Sequence, residues 1–406
     1  MGKLYRIRQG CFVLFLLVFY LGNVPGWAQV VQRAVLTGRI TNASDGKALP
    51  FASVYLNGTT KGTTADENGQ FTLADVPFGA IELVASYTGF SAVRQAMRLT
   101  ETKPRPIAIA LLPMDNMLAG VVVTAKKDKN WVRQLEQFEK DLLGESSFAR
   151  QCTIANPEVL QFEESGGMLI ATAREALRID NQALGFQMTY TLLGFQSQAK
   201  TGKVVFGGTT LFKELTPESP KQTKQWQRNR LQAYQGSLRH LLASLAADNY
   251  EQEGFMVYQT DPAHPLVNNP PPSFVGELGR HLKPFNARLM VTPGTLPHER
   301  WLVSNSPLEV FYTKISSRNS PYRDAQYAFS QIVLPQLSLG FTVTGQITSP
   351  RGFDAVGYLS NDRMSNALPD DWQTDATSPV QPFVFRRDSA RSQGEKKAVV
   401  EATLDS

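Results

Sequence analysis

The sequence predicts a mostly β protein: a β-sandwich over residues 35–125, then a strand-rich α+β domain over 131–370 with two helices. Three observations carry that reading. Short runs of period-two hydrophobicity recur between turn dipeptides through the first 125 residues. Two later stretches change to the 3.6-residue period of amphipathic helices. The length of 406 residues, with 42% hydrophobic and 19% charged side chains, allows two or three cored domains and argues against a polytopic membrane protein.

Before the sandwich, Lys3, Arg6 and Arg8 open a basic segment, Cys11 to Gly22 is apolar, and Gly26-Trp27-Ala28 puts small residues where a signal peptidase cuts. A secretory signal over residues 1–28 is expected, which places the mature chain in the periplasm or against the outer membrane. At ~12 residues the apolar run falls short of the ~20 needed to span a bilayer. Cys11 stands at the start of that run with no lipobox, so a lipoprotein is not expected. With the leader's three cations removed, 41 basic and 36 acidic residues come close to balance, and no nucleic-acid partner is expected. Cleavage also leaves Cys152 as the single cysteine, which excludes an internal disulfide and reads as a small buried hydrophobe.

The sandwich strands are expected at 35–41, 51–57, 61–64, 70–76, 80–87, 91–99, 107–112 and 120–125. Within the second of them, Ala52, Val54 and Leu56 point one way and Ser53, Tyr55 and Asn57 the other. Asp45-Gly46, Asn57-Gly58, Asn68-Gly69 and Thr88-Gly89 supply the turns, since glycine tolerates the positive φ of tight hairpins.

After a basic linker at 126–130, Trp131, Leu135, Phe138 and Leu142 form one helical stripe, and Gly144 stands at the C-terminal cap. A second helix is expected from Trp226 to Ala246, with Leu231, Tyr234, Leu238, Leu241, Leu242 and Leu245 inward. Strand-like runs fall at 148–154, 159–162, 168–173, 186–193 and 203–206, and again at 254–259, 288–291, 300–303, 308–315, 325–334, 339–347 and 354–359. Pro262 to Pro272 is a proline-rich loop. The polar stretch 373–406, with few apolar anchors, is expected to be disordered.

The run Lys61-Gly62-Thr63-Thr64-Ala65-Asp66-Glu67-Asn68-Gly69-Gln70-Phe71, then Val76-Pro77-Phe78-Gly79 and Ser86-Tyr87-Thr88-Gly89-Phe90, closely resembles the carboxypeptidase regulatory-like domain, a family common in exported Bacteroidetes proteins. The resemblance implies a transthyretin-like sandwich. Phe138, Leu143-Gly144, Cys152, Asn156-Pro157, Ala183 to Phe186 and Arg239-His240 are similar to the uncharacterised C-terminal part of proteins that carry this domain, which brings no known activity. Zinc peptidase activity does not follow from the family name. None of His240, His264, His281 and His298 has a Glu three residues on, so the HxxE pair of metallocarboxypeptidases is missing. Nor are enough residues left after the sandwich for the 22-stranded barrel that follows a similar domain in TonB-dependent receptors.

No local set of residues announces chemistry. Asp66-Glu67-Asn68-Gly69 could begin a calcium loop, but Pro77 stands where the closing Glu belongs, so a hairpin turn is expected. Glu163 and Glu164 are adjacent on a strand and point to opposite faces. There is no GxSxG elbow, P-loop or helix-opening GxGxxG. Arg228, Arg230, Arg239 and His240 could form an anion-binding face, with Arg230 and Tyr234 sharing a surface at i, i+4; the alternative is a solvated or salt-bridged helix face. Gly236 inside that helix suggests close packing against a strand. Asp388-Ser389-Ala390 resembles an O-glycosylation sequon of Bacteroidetes periplasmic proteins.

The reading is an exported, non-catalytic binding or scaffolding protein of the cell envelope with no cofactor or metal. Its partner is an unidentified envelope protein or glycan, and its candidate binding face is Arg230, Tyr234, Arg239 and His240. Two alternatives stay open. One is a hydrolase with its site in the second domain. The other is a carbohydrate-binding protein, which would need Trp226, Trp301 or Tyr322 exposed in one groove.

Overall fold

A computed structural model describes residues 32–114, 129–260, 271–349 and 352–374. The expected leader, the strand at 120–125, most of the proline-rich loop, the sequon and the tail beyond Thr374 lie outside the described residues. The chain is mostly β, with a sandwich followed by a strand-rich α+β region.

Alternation builds the sandwich. Strands β4 (Gln70–Pro77), β1 (Arg33–Asn42) and β7 (Ile107–Leu111) make one sheet, with β1 antiparallel to β4 and parallel to β7. Strands β3 (Gly62–Thr64), β2 (Ser53–Leu56), β5 (Gly79–Ser86) and β6 (Val93–Leu99) make the other. Leu36, Ile40, Val54, Leu56, Phe71 and Leu83 fill the space between the sheets. The Asp66 turn is a hairpin turn: Asp66 Oδ1 accepts from the backbone N–H of Asn68 (2.9 Å) and Gln70 (2.7 Å), and Gly69 has φ +73°.

Helix α1 (Lys129–Leu143) presses Phe138 and Leu142 onto a six-stranded sheet and ends at Gly144, where φ is +89°. That sheet contains β8 (Cys152–Ile154), β9 (Leu160–Ser165), β10 (Met168–Ala173), β11 (Leu177–Asn181), β12 (Phe186–Gln198) and β13 (Lys203–Glu214), with β12 pairing along its whole length with β13. Cys152 is half-buried in this core, and burial pushes its thiol up to about 12, so it is a poor thiolate at neutral pH.

A second core forms around a five-stranded sheet ordered β15 (Leu282–Pro284), β14 (Phe255–Thr260), β18 (Leu308–Ser316), β19 (Tyr327–Val333) and β21 (Asp354–Gly357). Beside it lies a three-stranded sheet of β16 (Val291–Pro293), β17 (Glu299–Val303) and β20 (Ser338–Thr342). The chain then returns to the first core. Met364 is buried there, and Asn181 donates to the Ser365 carbonyl at 2.9 Å.

Two local expectations are corrected. The run Trp226 to Ala246 is divided into α2 (Pro220–Tyr234) and α3 (Leu238–Ala246), because Gly236 takes φ +79° and ends the helical path. A short helix, Ala287–Met290, occupies most of the run expected as a strand at 288–291. Between it and α3, Phe274–Glu277 is another single turn of helix.

Candidate functional site

Helix α2 starts at Ser219, whose side chain accepts from the Gln222 N–H at 3.3 Å, with Pro220 in the first turn. Its buried edge is polar, and each anchor satisfies a carbonyl of the tight turn before β12. Trp226 Nε1 donates to Gln182 O (2.8 Å), Asn229 Nδ2 to Ala183 O (2.7 Å) and Arg230 Nε to Leu184 O (2.8 Å). Gly185 completes the turn with φ +71°, and a Cβ there would lie 2.3 Å from the Trp226 ring. Helix α2 is therefore held in place by hydrogen bonds, which frees its other face from packing duty.

That other face forms one wall of a cleft of about 780 Å³. Lys224, Arg228, Leu231 and Gln235 follow at helical spacing along it, flanked by Gln227 and Tyr234. Ala243, Ser244 and Ala247, from the end of α3, face them together with Asn249 and Glu253, and Trp372, Gln373 and Thr374 close the mouth.

Of the four residues expected to form a binding face, Arg230, Tyr234 and His240 line this cleft. Arg230 is already engaged. Besides Leu184 O it contacts Glu214 Oε1 at 2.8 Å, and its guanidinium stacks 3.9 Å above the Phe186 ring. Arg239 takes a different role. It grips the returning chain, donating to the carbonyls of Thr344 (3.3 Å), Pro369 (2.8 Å), Asp370 (3.0 Å) and Trp372. That grip sets the Trp372 ring 5.8 Å from Tyr234, so Arg239 shapes the cleft without lining it.

His240 is the buried floor. Its Nδ1 accepts the Gly236 N–H at 3.1 Å, which leaves the proton on Nε2, 3.2 Å from Glu253 Oε2. Burial pushes this imidazole below its ordinary value, although Glu253 pulls the other way. Both ring nitrogens are thus committed to neighbours. Ser244 Oγ likewise donates to Leu241 O at 2.8 Å. Asn249 differs: its Oδ1 is buried with no hydrogen-bond partner among the described residues.

Sequence reasoning did not find Lys224, Asn249, Glu253 or Trp372. Only Trp372 left a signal there, a lone large aromatic after Asp370-Asp371 at the margin of the polar tail. The aromatics considered for a sugar platform do not gather. Trp226 and Tyr322 are buried, at 5% and 1% exposure, while Trp301 is exposed on β17. Glu164 is paired with Arg133 at 2.6 Å. Among the described residues, no group of three His, Cys, Asp or Glu side chains could hold a metal ion, and no helix is long and apolar enough to cross a membrane.

Residues 36–123 match the family described as CarboxypepD_reg-like domain, so the chain carries that domain where the sandwich stands. Among solved structures, a cohesin–X-dockerin complex from Acetivibrio cellulolyticus is 20% identical, the match covering 20% of this chain and 59% of that one with a TM-score of 0.18. A DUF3823 family protein from Bacteroides ovatus is 12% identical over 46% of this chain and 82% of its own, TM-score 0.16. One from Parabacteroides merdae is 12% identical over 48% and 84%, TM-score 0.16. No curated protein matches the chain. Structural likenesses this faint carry no functional argument, which rests on the cleft.

Proposed function

We propose that this is an exported, non-catalytic binding protein of the cell envelope, and that its ligand sits between α2 and α3. The observation that carries the reading is a contrast within the cleft. The groups that could do chemistry are engaged with the protein itself: both His240 nitrogens and the Ser244 hydroxyl have internal partners. The groups that could only bind are available. Lys224 and Arg228 are exposed and make no ion pair among the described residues, with Arg228 donating to Gln225 Oε1 at 2.7 Å. A hydrolase needs a nucleophile or activated water held against a base, and no lining residue supplies that pair. Export is supported by the leader-like order of residues 1–28.

The test compares the mature protein with Ala243→Trp, which fills the cleft, in thermal-shift measurements against fractions of an envelope extract. A fraction that raises the melting temperature of the first and not the second supports the reading. Turnover of any component that is abolished in Ala243→Trp would replace it with an enzyme.

A further inference from the structure

Away from the cleft, Glu309 sits in the middle of the five-stranded sheet, on β18, opposite Tyr258 of β14 and Gln331 of β19. It is 0% exposed. Its Oε2 accepts from Tyr322 Oη at 2.7 Å, whereas Oε1 is buried with no hydrogen-bond partner among the described residues. The groups around it supply no cation. Tyr258 and Tyr322 are phenols, and the charge that bears on it is a second acid, Glu277, which pairs with His281 at 2.5 Å. A neutral acid is tolerated in such a place and a bare carboxylate is not, because burying an unpaired ion costs far more than burying a polar group. We infer that two segments covering this carboxyl, residues 271–281 and 317–326, form a lid that comes off when Glu309 ionises.

The lid is built as one piece. Phe274 comes from the single turn of helix at Phe274–Glu277 and Tyr322 from the loop between β18 and β19. Their rings pack 5.7 Å apart, and they lie 5.2 Å and 5.8 Å from Phe311, the next residue of β18 on the Glu309 face. Asp324 clasps the two segments together: its carboxylate accepts from the Phe274 N–H, from Ser273 Oγ at 2.7 Å and from the Val275 N–H at 3.3 Å. Beside it, the Arg323 N–H donates to Pro272 O at 3.1 Å.

Opening of the lid is a smaller event than loss of the sheet. Leu308, Val310 and Tyr312 alternate with Glu309 along β18 and belong to the core on its opposite face, while β14, β18 and β19 pair directly with one another beneath the lid. Water reaches the carboxylate once Phe274 and Tyr322 leave, with that ladder and that core kept. Burial pushes the Glu309 carboxyl up to about 7, which puts the opening in the neutral range, closed on the acid side and open on the alkaline side.

The experiment is hydrogen exchange of the mature chain, read by mass spectrometry across the neutral range and corrected for the intrinsic rate. Protection of peptides from 271–281 and 317–326 is expected to be level below about pH 6 and to fall about tenfold or more by about pH 8.5, while β12, β18 and the sandwich keep theirs. Glu309→Gln retains an acceptor for Tyr322 and is expected to hold the lid at its acid-side protection throughout. Asp324→Ala removes the clasp and is expected to speed exchange in both segments at every pH without changing the slope. A fall spread equally through β14, β18 and β19 would mean that ionisation loosens the whole core, and level protection in the lid would mean that the carboxylate is accommodated in place. Either result overturns the lid, and both are read on the parent chain alone, whether or not the variants fold. A slope that survives in Glu309→Gln overturns it too, since the titrating group would then be another, such as His281.

Discussion

Burial moves His240 and Glu309 in opposite directions, so the two groups bend the stability curve from opposite ends. The unfolded chain binds a proton at His240 near the ordinary value of 6.5, while the folded chain resists it. The stability contributed by the neutral ring is whole above about pH 6.5 and is lost as the pH falls below that value. An NMR titration should find the His240 ring charging at lower pH than an exposed histidine, with the proton of its neutral form on Nε2. A ring that charges no lower than an exposed histidine, or a neutral form protonated on Nδ1, would show that the Gly236 hydrogen bond is drawn wrongly. Glu309 is fully buried among aromatic rings, accepts from Tyr322 Oη at 2.7 Å through Oε2, and has no partner for Oε1. Burial pushes its carboxyl up to about 7 from 4.5. Its protonated form stabilises the fold fully below about pH 4.5, and that stabilisation is lost as the pH rises through 7. Glu309→Gln keeps an acceptor for Tyr322 without the charge. In urea unfolding it should exceed the parent by on the order of 2 kcal/mol at about pH 8 and match it near pH 4. Equal stabilities at both pH values would mean that the carboxylate is solvated.

Element by element, the sandwich was the most legible part. Every described strand overlaps an expected one, because its alternation faces a core on one side and its turns carry their own glycines. Legibility fell where long-range contacts decide. β11 was missed because it offers only two apolar residues, Leu177 and Ile179, alternating with Arg178 and Asp180, and it is pairing with β8 and β12 that makes them a strand. The helix break at Gly236 was missed because glycine in a helical pattern has two readings, a tolerated interior residue or a stop. The two readings predict opposite signs for Gly236→Ala. Inside a continuous helix the change would stabilise by about 1 kcal/mol. Here φ is +79° and the new Cβ would lie 2.8 Å from the Tyr312 ring, so a loss of about 2 kcal/mol or more is expected in thermal or urea unfolding. The same break aims Arg239 at the returning chain and His240 at the cleft floor, which is why helical periodicity named four residues of the face but could not divide their roles.

Across the whole molecule, the sandwich is tied to both halves of the second region. Alternation puts Tyr55 on the face of β2 opposite Val54 and Leu56, and that face is covered too: Tyr55 is 1% exposed, its hydroxyl meeting Thr209 Oγ1 at 2.9 Å on β13. Next to it, Asn57 Oδ1 accepts from Thr210 N at 2.8 Å, and Asp370 N donates to Gly58 O at 2.7 Å. At the far end of the sandwich, Leu296 packs against its core and Arg98 pairs with Oε2 of the buried Glu299, which also accepts from the Leu296 N–H at 3.1 Å, while Oε1 has no hydrogen-bond partner among the described residues. Such contacts leave no pattern in either segment alone, since each partner is more than 150 residues away in the chain. They also make a substitution report on docking. We expect the fragment 35–125 to fold by itself, with β-type circular dichroism and cooperative unfolding, because its strands close on their own core. Arg98→Ala should leave that fragment's stability unchanged within about 0.5 kcal/mol, as for an ordinary surface site. In the full chain the same substitution leaves the buried Glu299 carboxylate without its cation, held by the Leu296 N–H, and should cost about 1 to 3 kcal/mol, the lower part of the range for a buried pair because Arg98 is partly exposed. Equal losses in fragment and full chain would place the role of Arg98 inside the sandwich and remove this tie between the sandwich and the rest of the molecule.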